Sequence, residues 1–112
     1  MTALHKKRIK WWVEALRSGK YVQTDGELRT TGTLSEPVKH CCLGVACEVA
    51  KAKGVIRKYI GCDSYLPKSV AAWFGLPEND PVLGKSTATK LNDDYGWSFT
   101  KIADAIERKY LS

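Results

Sequence analysis

The segment from His40 to Lys53 restricts the fold of this chain more than any other. Read as a helix, it has Cys42, Leu43, Val45, Ala46, Val49 and Ala50 covering well over half its circumference. Only Glu48 and Lys51 form a clear polar strip. A helix apolar almost all round has no face to give to water, so it belongs in the middle of the molecule. Gly44 and the alanines permit a neighbouring element to approach closely, and Gly54 closes the helix. With 112 residues the chain supports one core and is too short for two ordinary domains. Every other element is therefore expected around this helix, in one compact domain over residues 1–112.

The neighbours follow from periodicity. Thr2 to Ser18 reads as a helix with Ile9, Trp12, Val13 and Leu16 on one face, ended by Gly19. Tyr21 to Thr30 holds two short extended runs around Asp25-Gly26, the signal for an antiparallel hairpin with a two-residue turn. Val55 to Ile60 reads as a short strand that would pair with this hairpin, since an isolated hairpin is marginal in water. Leu66-Pro67 opens a helix that buries Val70, Ala71, Trp73 and Phe74 and stops at Gly75. Pro77 to Lys85 reads as a loop and Ser86 to Asn92 as a short helix. Ser98 caps a last helix with the stripe Phe99, Ile102, Ala103, Ile106 and Tyr110. The predicted class is α+β, mostly helical, with a small antiparallel hairpin or sheet beside a central buried helix.

Charge points to the class of partner. The 18 Lys+Arg against 12 Asp+Glu leave a net +6, which favours anionic partners. The first helix carries Lys6, Lys7, Arg8, Lys10 and Arg17 against Glu14 alone, with Trp11 towards its polar side. No run nears ~20 apolar residues and the N-terminus has no signal-peptide pattern, so a cytoplasmic protein without a membrane span is expected.

Catalytic and cofactor signatures are missing: the chain has no GxGxxG, P-loop, HExxH or GxSxG, and no cofactor is expected. Its histidines are His5 and His40. Cys41, Cys42 and Cys47 would point about 100° and 140° apart on one helix, so one ion cannot gather all three. Buried free thiols are the plainer reading, with a metal or thiol protein as the alternative. Asn92-Asp93-Asp94 is the densest polar cluster and reads either as a cap and turn or as part of a binding site. Val70 to Gly75 and Ser98 to Asp104 each look like the first helix of a helix-turn-helix. Pro77, Asn79, Asp80 and Pro81 make a poor lead-in after the first, and little chain follows the second.

Several segments together carry a resemblance. Trp12-Val-Glu-Ala-Leu-Arg-Ser-Gly-Lys-Tyr21 leads to Gln23 and Gly26-Glu-Leu-Arg29, then to Cys41-Cys-Leu-Gly-Val-Ala-Cys47. Leu66-Pro67, Trp73-Phe-Gly-Leu76, Asp80-Pro81, Leu91-Asn-Asp93, Ser98-Phe99 and Ile102-Ala-Asp-Ala-Ile-Glu107 follow. This order, over nearly the whole chain, resembles a widespread family of small bacteriophage and prophage proteins of unknown function. The resemblance implies a setting, the cytoplasm of an infected bacterial host, and brings no functional residues with it. In that setting the expected function is a non-enzymatic protein that binds a component of host defence or metabolism, with an anionic nucleotide-type molecule as its ligand. The candidate contacts are Trp11 and Tyr21 for stacking, and Lys10, Gln23 and Arg29 for phosphate or polar edges, with Asn92 and Asp93 nearby. A host protein as partner, a nucleic-acid-binding regulator and a homo-oligomer that completes the hairpin are the competing expectations.

Overall fold

The computed structural model describes residues 1–112 as five helices and two two-stranded sheets, an α+β domain. The elements run α1 (Ala3–Arg17), β1 (Val22–Gln23), β2 (Lys39–His40), α2 (Cys42–Ala52), α3 (Lys68–Phe74), β3 (Val82–Leu83), β4 (Ser86–Thr87), α4 (Ala88–Asp93) and α5 (Phe99–Tyr110). No helix is long and apolar enough to cross a membrane.

The central helix lies where its apolar circumference requires. Cys42 to Cys47, Val49 and Ala50 are all buried, leaving Glu48 half-buried and Lys51 exposed. α1, α3 and α4 pack around it, and α1 also lies along α5. α1 starts at a capping box in which the Thr2 hydroxyl accepts from His5 N (3.1 Å) and Thr2 N donates to His5 Nδ1 (3.2 Å). Its apolar stripe Ile9, Trp12, Val13 and Leu16 is fully in the core, and Trp12 Nε1 donates to the Cys42 carbonyl at 2.9 Å. α3 ends where Gly75 takes φ +74, with Gly75 N donating to Ala72 O and Leu76 N to Ala71 O.

Three expectations require correction. α2 begins two residues later than expected, because His40 is held in β2 and Cys41 is its extended N-cap. The hairpin around Asp25-Gly26 does not close on itself. β2 comes between its arms instead: β1 pairs with β2 in parallel (Gln23 opposite His40), and Arg29 bridges His40 in the antiparallel sense. Val55 to Ile60 forms no strand; the carbonyls just beyond it, Gly61 and Asp63, accept from Arg29 N (2.9 Å) and Leu28 N (2.8 Å). These bonds occupy the second arm, so it cannot turn back onto β1. The antiparallel hairpin lies later in the chain, where β3 and β4 pair around Gly84-Lys85; Ser86 and Thr87 are therefore strand, and the helix expected from Ser86 begins at Ala88.

The close approach foreseen at Gly44 is made by Leu28. A Cβ at Gly44 would stand 1.8 Å from the Leu28 carbonyl oxygen and 2.7 Å from its carbon. Both partners are backbone, so neither yields cheaply. Gly44→Ala is expected to destabilise the domain by more than about 2 kcal/mol in chemical denaturation, at the upper end of overpacking effects.

Candidate functional site

The most developed concavity is a cleft of about 750 Å³ between the β3–β4 hairpin, the α4–α5 loop and α5. Its volume falls in the range of small-molecule sites. Leu83, Leu91 and Ala105 provide its buried apolar lining; Tyr95 and Trp97 add aromatic rings; Lys85, Arg108 and Lys109 supply the charge. No carboxylate lines it.

Helical spacing places these groups together. Ala105, Arg108 and Lys109 stand at i, i+3 and i+4 on α5 and share one face, and Lys101 lies one turn earlier on that face. The Lys101 ammonium is 4.2 Å from the centre of the Trp97 ring. The carboxylates of α5 are spent elsewhere: Arg17 of α1 grips Asp104 at 2.6 Å and Glu107 at 3.0 Å. Glu107 is held below the usual carboxylate range by that guanidinium. The cations on the cleft side therefore have no acidic neighbour on their own helix except those already paired. Lys109 Nζ also donates to the Val82 carbonyl, tying α5 to the hairpin.

The residues anticipated from the sequence fall into separate places. Gln23, Asn92 and Asp93 do meet. Gln23 Nε2 donates to Asn92 Oδ1 and to the Trp97 carbonyl, both at 2.8 Å. Asn92 Oδ1 also accepts from Cys42 N (3.2 Å), while Nδ2 donates to the Thr24 carbonyl (2.8 Å) and Asp93 Oδ1 (2.7 Å). The Asn92 amide is thus fully bonded within the protein, and through Gln23 it is linked to the Trp97 carbonyl. Trp11 and Tyr21 share a shallow groove between α1 and α2 with Lys20, Glu48 and Lys53. The Trp11 ring is already engaged by Trp73 (ring centres 6.1 Å apart), Lys53 (4.1 Å) and Lys7 (5.6 Å). Lys10 is exposed on α1 and lines none of these hollows, and Arg29 lies over Tyr59 at 5.3 Å. The single basic face expected on α1 is broken up, because Arg8 donates to the Trp73 carbonyl (2.8 Å) and Arg17 is paired.

Sequence reading missed Lys85, Tyr95, Trp97, Lys101, Arg108 and Lys109. The available signal was the cationic face of the last helix, where Lys101, Arg108 and Lys109 gather around Ala105 with Asp104 the one carboxylate beside them.

The thiols take no part in the cleft. Cys41, Cys42 and Cys47 are buried and Cys62 is exposed, all of them free. Burial raises the three inner thiols, Cys41 to about 11. No group of three or more His, Cys, Asp or Glu side chains is placed to hold a metal ion. A thiol-reactive dye is expected to label one cysteine per folded chain and all four after denaturation; rapid labelling of a second would show an accessible thiolate. Asn92→Ala strands the Gln23 amide, the Cys42 N–H and the Thr24 carbonyl. It is expected to lower stability by about 2–3 kcal/mol, read from denaturant midpoints.

No curated protein and no solved structure matches this chain. The model of one family, a domain of unknown function (DUF8296), matches residues 5–110. With all five helices except the first two residues of α1 inside that match, the chain belongs to the DUF8296 family.

Proposed function

We propose that this domain binds an anionic ligand carrying an aromatic ring, of the nucleotide class, in the cleft between the β3–β4 hairpin and α5. The observation that carries this reading is the lining: three cations and two aromatic rings over an apolar floor, with no carboxylate among them. Phosphate would be met by Lys85, Arg108 and Lys109, of which Arg108 can offer two parallel N–H donors. The base would lie against Trp97 or Tyr95, a contact worth about 1–3 kcal/mol per stacked base. The lining contains no His, Asp, Glu or Cys side chain to act as a general base or nucleophile, which favours holding the ligand over converting it. Together with the resemblance to small phage proteins, this supports sequestration of a nucleotide of the infected bacterial host. The ligand class is the one expected from the sequence; the proposed site has moved from the first helix to the last.

The test is a panel of purine mono-, di- and triphosphates and cyclic dinucleotides, screened by thermal shift and confirmed by calorimetry. A ligand present at about a hundred times its dissociation constant should add ~2.7 kcal/mol of stability. Arg108→Ala and Lys85→Ala should weaken binding about tenfold or more while changing the stability of the free protein by less than about 0.5 kcal/mol. A panel with no binder, or binding indifferent to both substitutions, would overturn the proposal.

A further inference from the structure

His40 is the one buried histidine, 7% exposed, and neither Nδ1 nor Nε2 has a hydrogen-bond partner in the protein. Polar atoms left unpaired in a core are costly, so such a group calls for an explanation. The ring sits in a cage of titratable and charged side chains from every element packed on it. Tyr21, next to β1, meets it edge-on at 5.2 Å. Glu48 of α2 places Oε2 3.8 Å from Nε2, and the same oxygen accepts from Tyr59 OH at 2.7 Å. Arg29 from the neighbouring segment and Lys51 of α2 oppose a positive charge there. Burial is the largest effect and holds the imidazole below its ordinary range; Glu48 works in the other direction.

The backbone of His40 leads to the cleft. Its carbonyl accepts from Thr24 N at 2.9 Å, and the Thr24 carbonyl accepts from Asn92 Nδ2 at 2.8 Å. Asn92 Oδ1 accepts from Gln23 Nε2, which donates in turn to the Trp97 carbonyl. Gln23 and His40 are also paired in register across the β1–β2 ladder. Four hydrogen bonds thus connect the backbone carbonyl of His40 to that of Trp97 in the wall of the cleft.

We propose that His40 is a proton-responsive element that sets the position of Trp97, and through it the affinity of the cleft. Neutral, the ring rests in its cage. Protonated, it has one charged acceptor within reach, Glu48 Oε2. A charge-assisted bond needs a separation of about 2.7–2.9 Å, so ring and carboxylate must close by roughly 1 Å. That movement competes with Tyr59 for Glu48 and pulls on β2, whose carbonyl anchors Thr24. Because the folded state binds this proton less well than the unfolded chain, stability is fully present above about pH 6.5. It falls as the pH drops through the lowered midpoint of the folded state.

Proton and nitrogen–proton NMR on the full chain, from about pH 8 to about pH 5.5, tests the coupling. The His40 ring should titrate with a midpoint below about 6.5. The side-chain amides of Gln23 and Asn92 and the backbone amide of Trp97 should follow the same midpoint. His40→Phe should abolish those three shifts in a folded protein. Glu48→Gln removes the acceptor that favours the proton, so it should move the common midpoint down, which keeps the test decisive if the Phe variant fails to fold. Amide signals that ignore the His40 midpoint, or that still titrate in His40→Phe, would overturn the proposal. The effect on affinity rests on the nucleotide reading, with ATP as the probe. Wild-type affinity should fall about fivefold or more across this range relative to His40→Phe. An unchanged ratio would overturn the link to the cleft. Shared NMR midpoints without ATP binding at either pH would support the coupling and count against the nucleotide reading alone.

Discussion

The carboxamide of Asn92 is the interaction on which the rest of the molecule depends. It is buried, and it is satisfied four times over, by Gln23, Cys42, Thr24 and Asp93. A fully connected buried network fixes geometry because any displacement leaves a polar group unpaired in low dielectric. Asn92 gives α2 a cap on its first turn, where the Cys41 thiol accepts only a long 3.4 Å bond from Gly44 N. It also joins β1 to α4 and, through Gln23, sets the loop that carries Trp97. The central helix, the parallel strand pair and one wall of the cleft share a single side chain.

The charge pattern of α5 follows from its other neighbour. Arg17 and its two carboxylates are exposed, so their direct contribution to stability is small. Their consequence for the cleft is larger. By pairing with Asp104 and Glu107, Arg17 offsets the acidic residues that α5 carries beside Lys101, Arg108 and Lys109. The net charge of +6 thereby becomes a local field at one concave surface, where low-dielectric walls strengthen it. On α1 two of the five cations are engaged by other elements, Arg8 by the Trp73 carbonyl and Arg17 by α5, which leaves Lys6, Lys7 and Lys10 exposed.

Elements that depend on local pattern were legible from the chain. Ser98 as a cap, the stripes of α1 and α5, the stop at Gly75 and the burial of α2 all arise from residues within a turn or two of each other. Elements that depend on distant partners were not. Asp25-Gly26 carries a genuine turn signal, but the bonds from Leu28 and Arg29 to the 61–63 segment, and the insertion of β2, outweigh it. The candidate site divides in the same way. Gln23, Asn92 and Asp93 were picked out for their polarity and do converge, yet only the tertiary arrangement shows that they bind one another. The cleft draws on residues 83–86, 91, 95, 97, 105, 108 and 109, each unremarkable by itself. What makes it a site is the sorting of charge between α1 and α5, a property of packing.

The hairpin that forms the outer rim of the cleft would not hold its shape alone, having two residues in each strand. It is anchored on three sides. Ala88 N donates to the Pro81 carbonyl at 2.8 Å, Asp80 accepts from both the backbone and hydroxyl of Thr89, and Lys109 reaches the Val82 carbonyl. Leu83 is buried beneath it. The tip, Gly84-Lys85, projects into solvent, and Val82 is exposed on the outer side of β3. A rim fixed in this way is no flap, and the cleft is open before any ligand arrives. Preorganisation removes much of the ordering cost of binding. In the proposed nucleotide reading the floor and the Trp97 wall would supply a set shape, and Lys85, on a long stem at the exposed tip, would be the group able to follow the ligand's charge.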